Sequence, residues 1–215
     1  MPGFGLLVDG FDDGVVDPVL WPQSYGNPVE AGGRARIPCT TGYAAYKSAA
    51  AYSLRWSQIA ARVIPPAATG ATSAACSLLV LTGTAGTDAG FLIDPAQNAM
   101  GLYLRVGYAD PGALFPAYDP AAHAWLRLRE DAGTLRWETS PDGLTWTVRR
   151  SAATPAWATQ TDLALVIEAH RDAGPADYAE VDSLNVTRAG RLVPADRTAA
   201  GPGPAAHTTS TMTGG

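Results

Sequence analysis

The chain has 215 residues and a formal net charge of -5, and 47% of its residues are hydrophobic. A chain of this size buries a substantial core, and its sequence contains no apolar run of the roughly 18 residues that a membrane span requires. The acidic balance, with Lys47 as the single lysine, lacks the cationic footprint that binds phosphate backbones. We therefore expect neither membrane insertion nor a nucleic-acid partner.

The 23 glycines and 17 prolines suit many short strands better than long helices. The pattern predicts strands over 4–12 and 29–39, one or two helical turns over 43–51, and a strand with a one-residue slip over 52–63. The apolar run 76–81 predicts a strand buried on both faces. Further strands are predicted over 90–94, 100–106, 125–129, 134–139, 144–149, 163–170 and 178–186. This order, without a βαβ rhythm, is typical of an all-β antiparallel sandwich or barrel.

The clearest alternation lies between residues 123 and 149, where three strands are predicted to form a meander. Its polar face carries Trp125, Arg127, Arg129, Arg136 and Glu138. Its apolar face is predicted to pack on the core and comprises Leu126, Leu128, Leu135, Trp137, Leu144, Trp146 and Val148. The polar face of the meander is therefore expected to look toward water or a ligand.

The composition changes near the end of the chain. Residues 189–215 are rich in Gly, Pro and Thr and lack apolar periodicity, so this segment cannot bury enough surface to order itself alone. The sequence predicts a domain over 1–188 followed by an extended C-terminal arm over 189–215. A neighbouring subunit in an assembly is the natural partner of such an arm.

Four segments together resemble the concanavalin A-like (laminin-G-like) jelly-roll superfamily over about residues 5–187. They are VDGFDD at 8–13, WLRLR at 125–129, SPDGLTW at 140–146 and VDSLNV at 181–186. The resemblance implies a two-sheet jelly-roll sandwich in which the first and last strands pair. Domains of this kind commonly bind glycans, some are glycoside hydrolases, and others are head or tail accessory proteins of phages that infect high-GC bacteria.

The hydrolases of this superfamily carry a Glu-x-Asp-x-(x)-Glu strand in mid-chain, because retaining glycoside hydrolysis needs two carboxylates about 5 Å apart. Glu180 and Asp182 echo that pattern on the last predicted strand. The expected second glutamate is Asn185, which can neither protonate a leaving group nor act as a base. The sequence therefore predicts a chain that is not an enzyme and that uses no cofactor.

The other reactive side chains also form no familiar constellation. Cys39 and Cys76 are interpreted as buried free thiols, with a disulfide as the alternative, because a chain of this size does not need stapling. His123, His170 and His207 are expected to be solvated or capped. None of these residues has the sequence neighbours of a zinc site or a nucleophile.

Two candidate sites remain. Asp9, Asp12 and Asp13 offer oxygen ligands of the kind that calcium prefers, although an acidic turn is the favoured interpretation and no metal is predicted. Trp125, Arg127, Arg136 and Glu138 are the candidate glycan-binding residues, because sugars stack on aromatic rings and hydrogen bond to arginines and carboxylates. In the alternative, Trp125 packs under a loop and the arginines pair with Glu130 and Glu138.

The function favoured by these patterns is that of a structural component of a bacteriophage or phage-like virion, such as a minor tail, fibre or head-decoration protein, assembled in the host cytoplasm. The start of the chain shows no export signal, and the lysine-poor, arginine-rich composition suggests a high-GC host. The expected partners are other virion proteins or copies of the same chain through the arm, together with a host cell-surface glycan. A free-standing bacterial carbohydrate-binding module is the alternative.

Overall fold

A computed structural model describes residues 2–186, so the boundary predicted at residue 188 and the arm predicted over 189–215 lie outside the described residues. The described chain forms twelve strands and two short 3-10 helices, Phe4–Leu6 and Ala156–Thr159. The strands are β1 Val29–Glu30, β2 Ala35–Cys39, β3 Ala44–Lys47, β4 Gln58–Ile64, β5 Ala74–Leu81, β6 Asp88–Asp94, β7 Ala99–Arg105, β8 Trp125–Asp131, β9 Thr134–Ser140, β10 Thr147–Ala153, β11 Ala164–Arg171 and β12 Asp177–Asp182. Neither helix approaches the length and apolarity needed to cross a membrane.

The strands pair into two antiparallel sheets that pack as a sandwich. The seven-stranded sheet has the order β1-β2-β12-β4-β8-β9-β10, and the five-stranded sheet has the order β3-β11-β5-β6-β7. The predicted all-β jelly-roll sandwich is therefore confirmed. The expected pairing of the chain's beginning and end is reduced to one bridge between Asp9 and Leu184, because residues 4–6 form a 3-10 helix in place of a strand.

The core lies between the sheets and is filled by alternate residues of the strands. In β4, for example, Ile59, Ala61 and Val63 are buried while the residues between them are half-buried. The indole of Trp137 on β9 crosses the core and donates a hydrogen bond of 2.9 Å to the carbonyl of Gly90 on β6. This bond fixes the two sheets against each other.

Besides the missing first strand, three local predictions are wrong. The strand predicted over 52–63 begins only at Gln58, because Arg55 and Trp56 form a turn in place of the expected one-residue slip. The alanine-rich segment 43–51 contains a strand in place of a helix, because β3 pairs with β11 and buries Ala44, Ala45 and Tyr46. Residues 144–148 do not face the core: Leu144 and Val148 are exposed, and Val148 lies opposite Glu138. A register shift between Val148 and Arg150 turns the apolar side of this segment outward.

Other predictions hold. β5 is buried along almost all its length, as its continuous apolar run indicated. Cys39 on β2 and Cys76 on β5 are free and buried. Burial raises the pKa of both thiols, so both stay protonated near neutral pH.

Candidate functional site

The outer surface of the seven-stranded sheet carries a dense set of charged side chains, which we call the arginine face. It is formed by outward-pointing residues of β2, β12, β4, β8 and β9 together with the residue that precedes β2. Its members are Arg34, Arg36, Arg62, Arg127, Arg129, Arg136, Asp131, Glu138, Glu180 and Asp182. Three of the four predicted glycan-binding residues, Arg127, Arg136 and Glu138, belong to this set.

One half of the arginine face lies on β8 and β9. Arg127 is directly opposite Glu138, and the two side chains form an ion pair of 2.5 Å. Glu138 also accepts a longer contact of 3.5 Å from Arg129, and it is almost completely buried. Burial lowers the pKa of the Arg127 guanidinium from its ordinary value, and the carboxylate of Glu138 opposes that change. Arg129 and Arg136 share Asp131, at 3.1 and 3.6 Å.

The other half lies on β2, β12 and β4. Glu180 binds both Arg34, at 2.5 Å, and Arg36, at 2.8 Å. Asp182 lies directly opposite Arg62, with a closest charged contact of 3.9 Å. The sequence pattern drew attention to Glu180 and Asp182 but could not place them beside the meander, because the position of β12 between β2 and β4 is a feature of the topology.

The loop between β9 and β10 covers one corner of the arginine face. Trp125 points outward as predicted, but it is buried beneath this loop, and a Cβ at Gly143 would lie 3.0 Å from its ring. The Trp146 ring stacks on the guanidinium of Arg127 at 4.1 Å. Asp142 shapes the loop by accepting backbone hydrogen bonds from Leu144 and Thr145.

The aromatic group next to the face is thus Trp146, which the sequence analysis wrongly placed in the core. The alternative interpretation, in which Trp125 packs under a loop, is therefore correct. Glu130, however, does not pair with the arginines. Its carboxylate accepts hydrogen bonds from the backbone of Trp56 and Gly133 and from the Thr154 hydroxyl.

Asn185, the residue that interrupts the hydrolase-like pattern, has a structural role. The amide of Asn185 is buried, and its oxygen accepts a hydrogen bond of 2.8 Å from the backbone of Ala60. Its nitrogen donates to the carbonyls of Phe4, at 2.9 Å, and Leu7, at 2.8 Å. Asn185 therefore ties the N-terminal segment to the seven-stranded sheet.

The N-terminal aspartates serve the backbone of their own turns. Asp9 accepts hydrogen bonds from the backbone of Phe11 and from the Trp21 indole, at 2.8 and 2.7 Å, and Asp13 accepts one from Val15 at 3.0 Å. Asp12 is exposed at the surface. Within residues 2–186, no three His, Cys, Asp or Glu side chains are grouped so that they could hold a metal ion.

The two described histidines are engaged with the protein. His123 is buried, and its Nδ1 accepts a hydrogen bond of 3.1 Å from the backbone of Asp119. His170 stacks on Tyr43 with ring centroids 4.2 Å apart. His207 lies outside the described residues. His123 is thus capped by the backbone of Asp119, and capping is one of the two environments expected for the histidines.

Several solved structures resemble this sandwich. The Bacillus licheniformis beta-glucanase matches with a TM-score of 0.58 at 12% identity, covering 82% of this chain and 95% of that chain. SCLam, a non-specific endo-beta-1,3(4)-glucanase from family GH16, matches with a TM-score of 0.61 at 8% identity, covering 82% and 88%. The Emp46p carbohydrate recognition domain matches with a TM-score of 0.59 at 12% identity, covering 86% and 96%. No protein-family model and no curated protein matches the sequence.

The chain therefore has the concanavalin A-like jelly-roll fold, in agreement with the resemblance carried by its sequence segments. The proteins that share the fold include glucanases as well as a carbohydrate recognition domain. The prediction that the chain is not an enzyme is contradicted by the glucanase matches, because in those proteins the same fold belongs to enzymes.

Proposed function

We propose that the protein recognises carbohydrate on the arginine face. The observation that carries the proposal is the ordered array of guanidinium and carboxylate groups, held in ion pairs across five strands of one sheet. Sugar hydroxyls both donate and accept hydrogen bonds, so they match an array that contains both kinds of group. Because the ion pairs already fix the side chains, binding a sugar immobilises few of them further.

Aromatic rings at the border of the array support the same proposal. Trp146 lies over Arg127 and is only half-buried, and Tyr178 on β12 is exposed beside the other half of the face. Flat aromatic surfaces next to fixed polar groups are typical of small-molecule binding sites. The fold neighbours include a carbohydrate recognition domain and glucanases, which agrees with a carbohydrate ligand.

The proposal is tested by measuring binding of the full chain to a glycan panel. We expect Trp146→Ala to weaken binding of the best ligand about tenfold, because it removes a ring that contacts Arg127 and borders the site. Tyr108→Ala is the matched control, since Tyr108 is an exposed aromatic residue outside the arginine face. Absence of binding to every glycan, or an equal loss in both variants, would contradict the proposal.

The same glycans also test for catalysis. Release of new reducing ends, followed in parallel with binding, would add a hydrolytic activity to recognition on this fold. The carboxylates of the arginine face are the first candidates for catalysing such hydrolysis. Loss of the hydrolytic activity in Glu138→Gln or Glu180→Gln would show which carboxylate takes part.

The setting that we propose for this recognition is a phage or phage-like virion. It is supported by the composition of residues 189–215 and by the arginine-rich, lysine-poor sequence. Deleting 189–215 is expected to abolish association with other virion proteins while the remaining chain folds. A chain that never associates, and that binds glycan equally well with or without 189–215, would favour a free-standing carbohydrate-binding module.

A further inference from the structure

We propose that the glycan bound by the arginine face is anionic and carries sulfate or carboxylate groups, an inference that rests on the function proposed above. The face holds six arginines and four carboxylates, which gives it a formal surplus of two positive charges. The whole chain has a formal net charge of -5. The positive surplus is therefore a local property of this one surface.

The depth of the side chains increases the positive character of the surface. In most of the ion pairs the arginine is more exposed than its carboxylate: Arg36 is 41% exposed against 16% for Glu180, and Arg129 is 32% exposed against 4% for Glu138. Asp131 is the exception. A ligand that approaches the sheet thus meets guanidinium groups first, with the neutralising carboxylates largely beneath them.

The hydrogen-bonding capacity of the face is also unbalanced. Six guanidinium groups offer about thirty N–H donors, whereas four carboxylates offer about sixteen lone-pair sites. In agreement with this excess, the Nε of Arg129 has no hydrogen-bond partner, and the Nη1 of Arg136 lies 3.6 Å from Asp131, beyond hydrogen-bond distance. Both atoms are buried, so the donors open to a ligand are other N–H groups of the face. Sulfate and carboxylate groups only accept hydrogen bonds, so they fit a surface with surplus donors better than neutral hydroxyls do.

Two arginine pairs are candidate anion positions: Arg34 and Arg36, which share the less exposed Glu180, and Arg129 and Arg136, which share the more exposed Asp131. The second pair has a further feature. Arg129 and Arg136 are directly opposite each other on β8 and β9, and Gln58 and Ser151 extend the same row on β4 and β10. Like charges in directly opposed positions destabilise a sheet. Here Asp131 contacts both arginines, at 3.1 and 3.6 Å, and Glu138 contacts Arg129 at 3.5 Å, so the repulsion is only partly offset. An anionic group bound between the two guanidinium groups would relieve this repulsion.

The extent of the face favours a polymer over a small anion. The arginines are distributed from β2 to β9, which are separated by four strand spacings, or about 19 Å. Anionic groups repeated along a polysaccharide could engage the Arg36 end and the Arg136 end together. The structure thus favours an extended acidic glycan that lies across the strands.

The first experiment compares a charged polysaccharide with its neutral parent and includes two further polyanions. Binding of the full chain to dextran sulfate and to unmodified dextran is measured by calorimetry, with polygalacturonate as a carboxylate polymer and duplex DNA as a polyanion without sugar-ring charges. We expect an acidic polysaccharide to bind at least about tenfold more tightly than dextran and than DNA, with an affinity that falls as salt is added. Equal binding of DNA would overturn the inference by showing a non-specific polyanion surface.

Variants then locate the binding. Arg136→Gln and Arg36→Gln, at opposite ends of the face, are each expected to weaken binding of the acidic polymer about tenfold. Lys47→Gln removes the same charge from the five-stranded sheet and should leave binding unchanged. Thermal unfolding of each variant shows whether a loss of binding results from misfolding. Because the two arginines lie at separate sites, the second variant still tests the inference if the first does not fold.

The outcomes separate the two proposals. Binding of a neutral glycan as tightly as the acidic polymers, with both arginine variants unaffected, would overturn the inference about charge and leave carbohydrate recognition intact. Failure of every glycan, neutral or acidic, would overturn both.

Discussion

Glu30 is a buried carboxyl group whose surroundings oppose its ionisation. One of its carboxylate oxygens has no hydrogen-bond partner, and the side chain faces Asp9 and Asp13. Burial raises its pKa to about 7, and the hydrogen bond shared with Asp13 and the nearby negative charges act in the same direction. Between about pH 4.5 and pH 7, the folded protein therefore holds a proton at Glu30 that the unfolded chain has already lost.

This difference makes Glu30 a cost to stability as the pH rises from about 4.5 to about 7. We expect Glu30→Gln to be more stable than the natural chain by about 1–3 kcal/mol near pH 8, and to differ little near pH 4. Urea unfolding at several pH values measures the difference. A stability gap that is the same at every pH would contradict the prediction.

His123 acts in the opposite sense and has to be separated from Glu30. Burial is the main cause that lowers its pKa from 6.5, and the charge of Arg149 adds to it. The folded state therefore favours the neutral imidazole, so the stability that His123 contributes is lost as the pH falls below about 6.5. Comparing Glu30→Gln with the natural chain at each pH cancels this contribution, because His123 is present in both proteins.

The contact between β9 and β6 depends on a residue without a side chain. Gly90 has a φ of 150°, and a Cβ at this position would lie 2.1 Å from the Leu78 carbonyl oxygen on β5. The same glycine accepts the hydrogen bond of the Trp137 indole. Any side chain here would push β6 away from β5 and move the acceptor of the Trp137 bond.

We expect Gly90→Ala to destabilise the fold by about 3 kcal/mol or more, because backbone atoms of two central strands cannot move apart cheaply. Gly133→Ala is the control: its φ is 79°, and no atom lies within 4 Å of the added Cβ, so only the backbone conformation costs about 1–2 kcal/mol. Thermal unfolding of both variants tests the expectation. Similar losses in the two variants would show that the contact with Leu78 is unimportant.

The accuracy of the sequence predictions varied from one element to the next, for physical reasons. β8 and β9 were predicted well, because their apolar and polar residues alternate strictly and only one register buries Leu128 and Trp137. β3 was not, because the helix propensity of alanine is weak beside its pairing with β11. Trp146 was misplaced because a bulge that reverses the faces of β10 leaves no signal in the alternation.

The candidate site was predictable in part for a related reason. Arg127, Arg136 and Glu138 were found because β8 and β9 are consecutive and joined by a short turn. The contributions of Glu180 and Arg36 depend on a pairing between residues that are far apart in the sequence. One sequence contains no local signal for such a pairing, so this half of the arginine face needed the structure.

At the scale of the whole molecule, the arginine face depends on a strand that comes late in the chain. β12 lies between β2 and β4, and it supplies Glu180 and Asp182 to the outer surface and Ala179 and Val181 to the core. Asn185, just after β12, holds the N-terminal segment in place. The first and last parts of the described chain are thus joined in the middle of one sheet.

This arrangement predicts a sharp limit for shortening the chain. A chain that ends at residue 186 keeps both described sheets complete and is expected to unfold cooperatively at nearly the temperature of the full chain. A chain that ends at residue 176 lacks β12, which leaves the facing edges of β2 and β4 without hydrogen-bond partners and opens the core at their junction. We expect the shorter chain to lose its fixed tertiary structure.

Near-ultraviolet circular dichroism and thermal unfolding of the two truncated chains measure the limit. The 215-residue chain with Asn185→Ala is an intermediate case, in which β12 remains but the Ala60 N–H and the Leu7 carbonyl lose their partner, at a cost of about 1–3 kcal/mol for each unpaired group. The Phe4 carbonyl keeps its hydrogen bond from the Leu7 N–H. A native spectrum for the chain that ends at residue 176 would show that β12 is dispensable. The arginine face would then have to form without Glu180, leaving Arg34 and Arg36 without the carboxylate that now orients them.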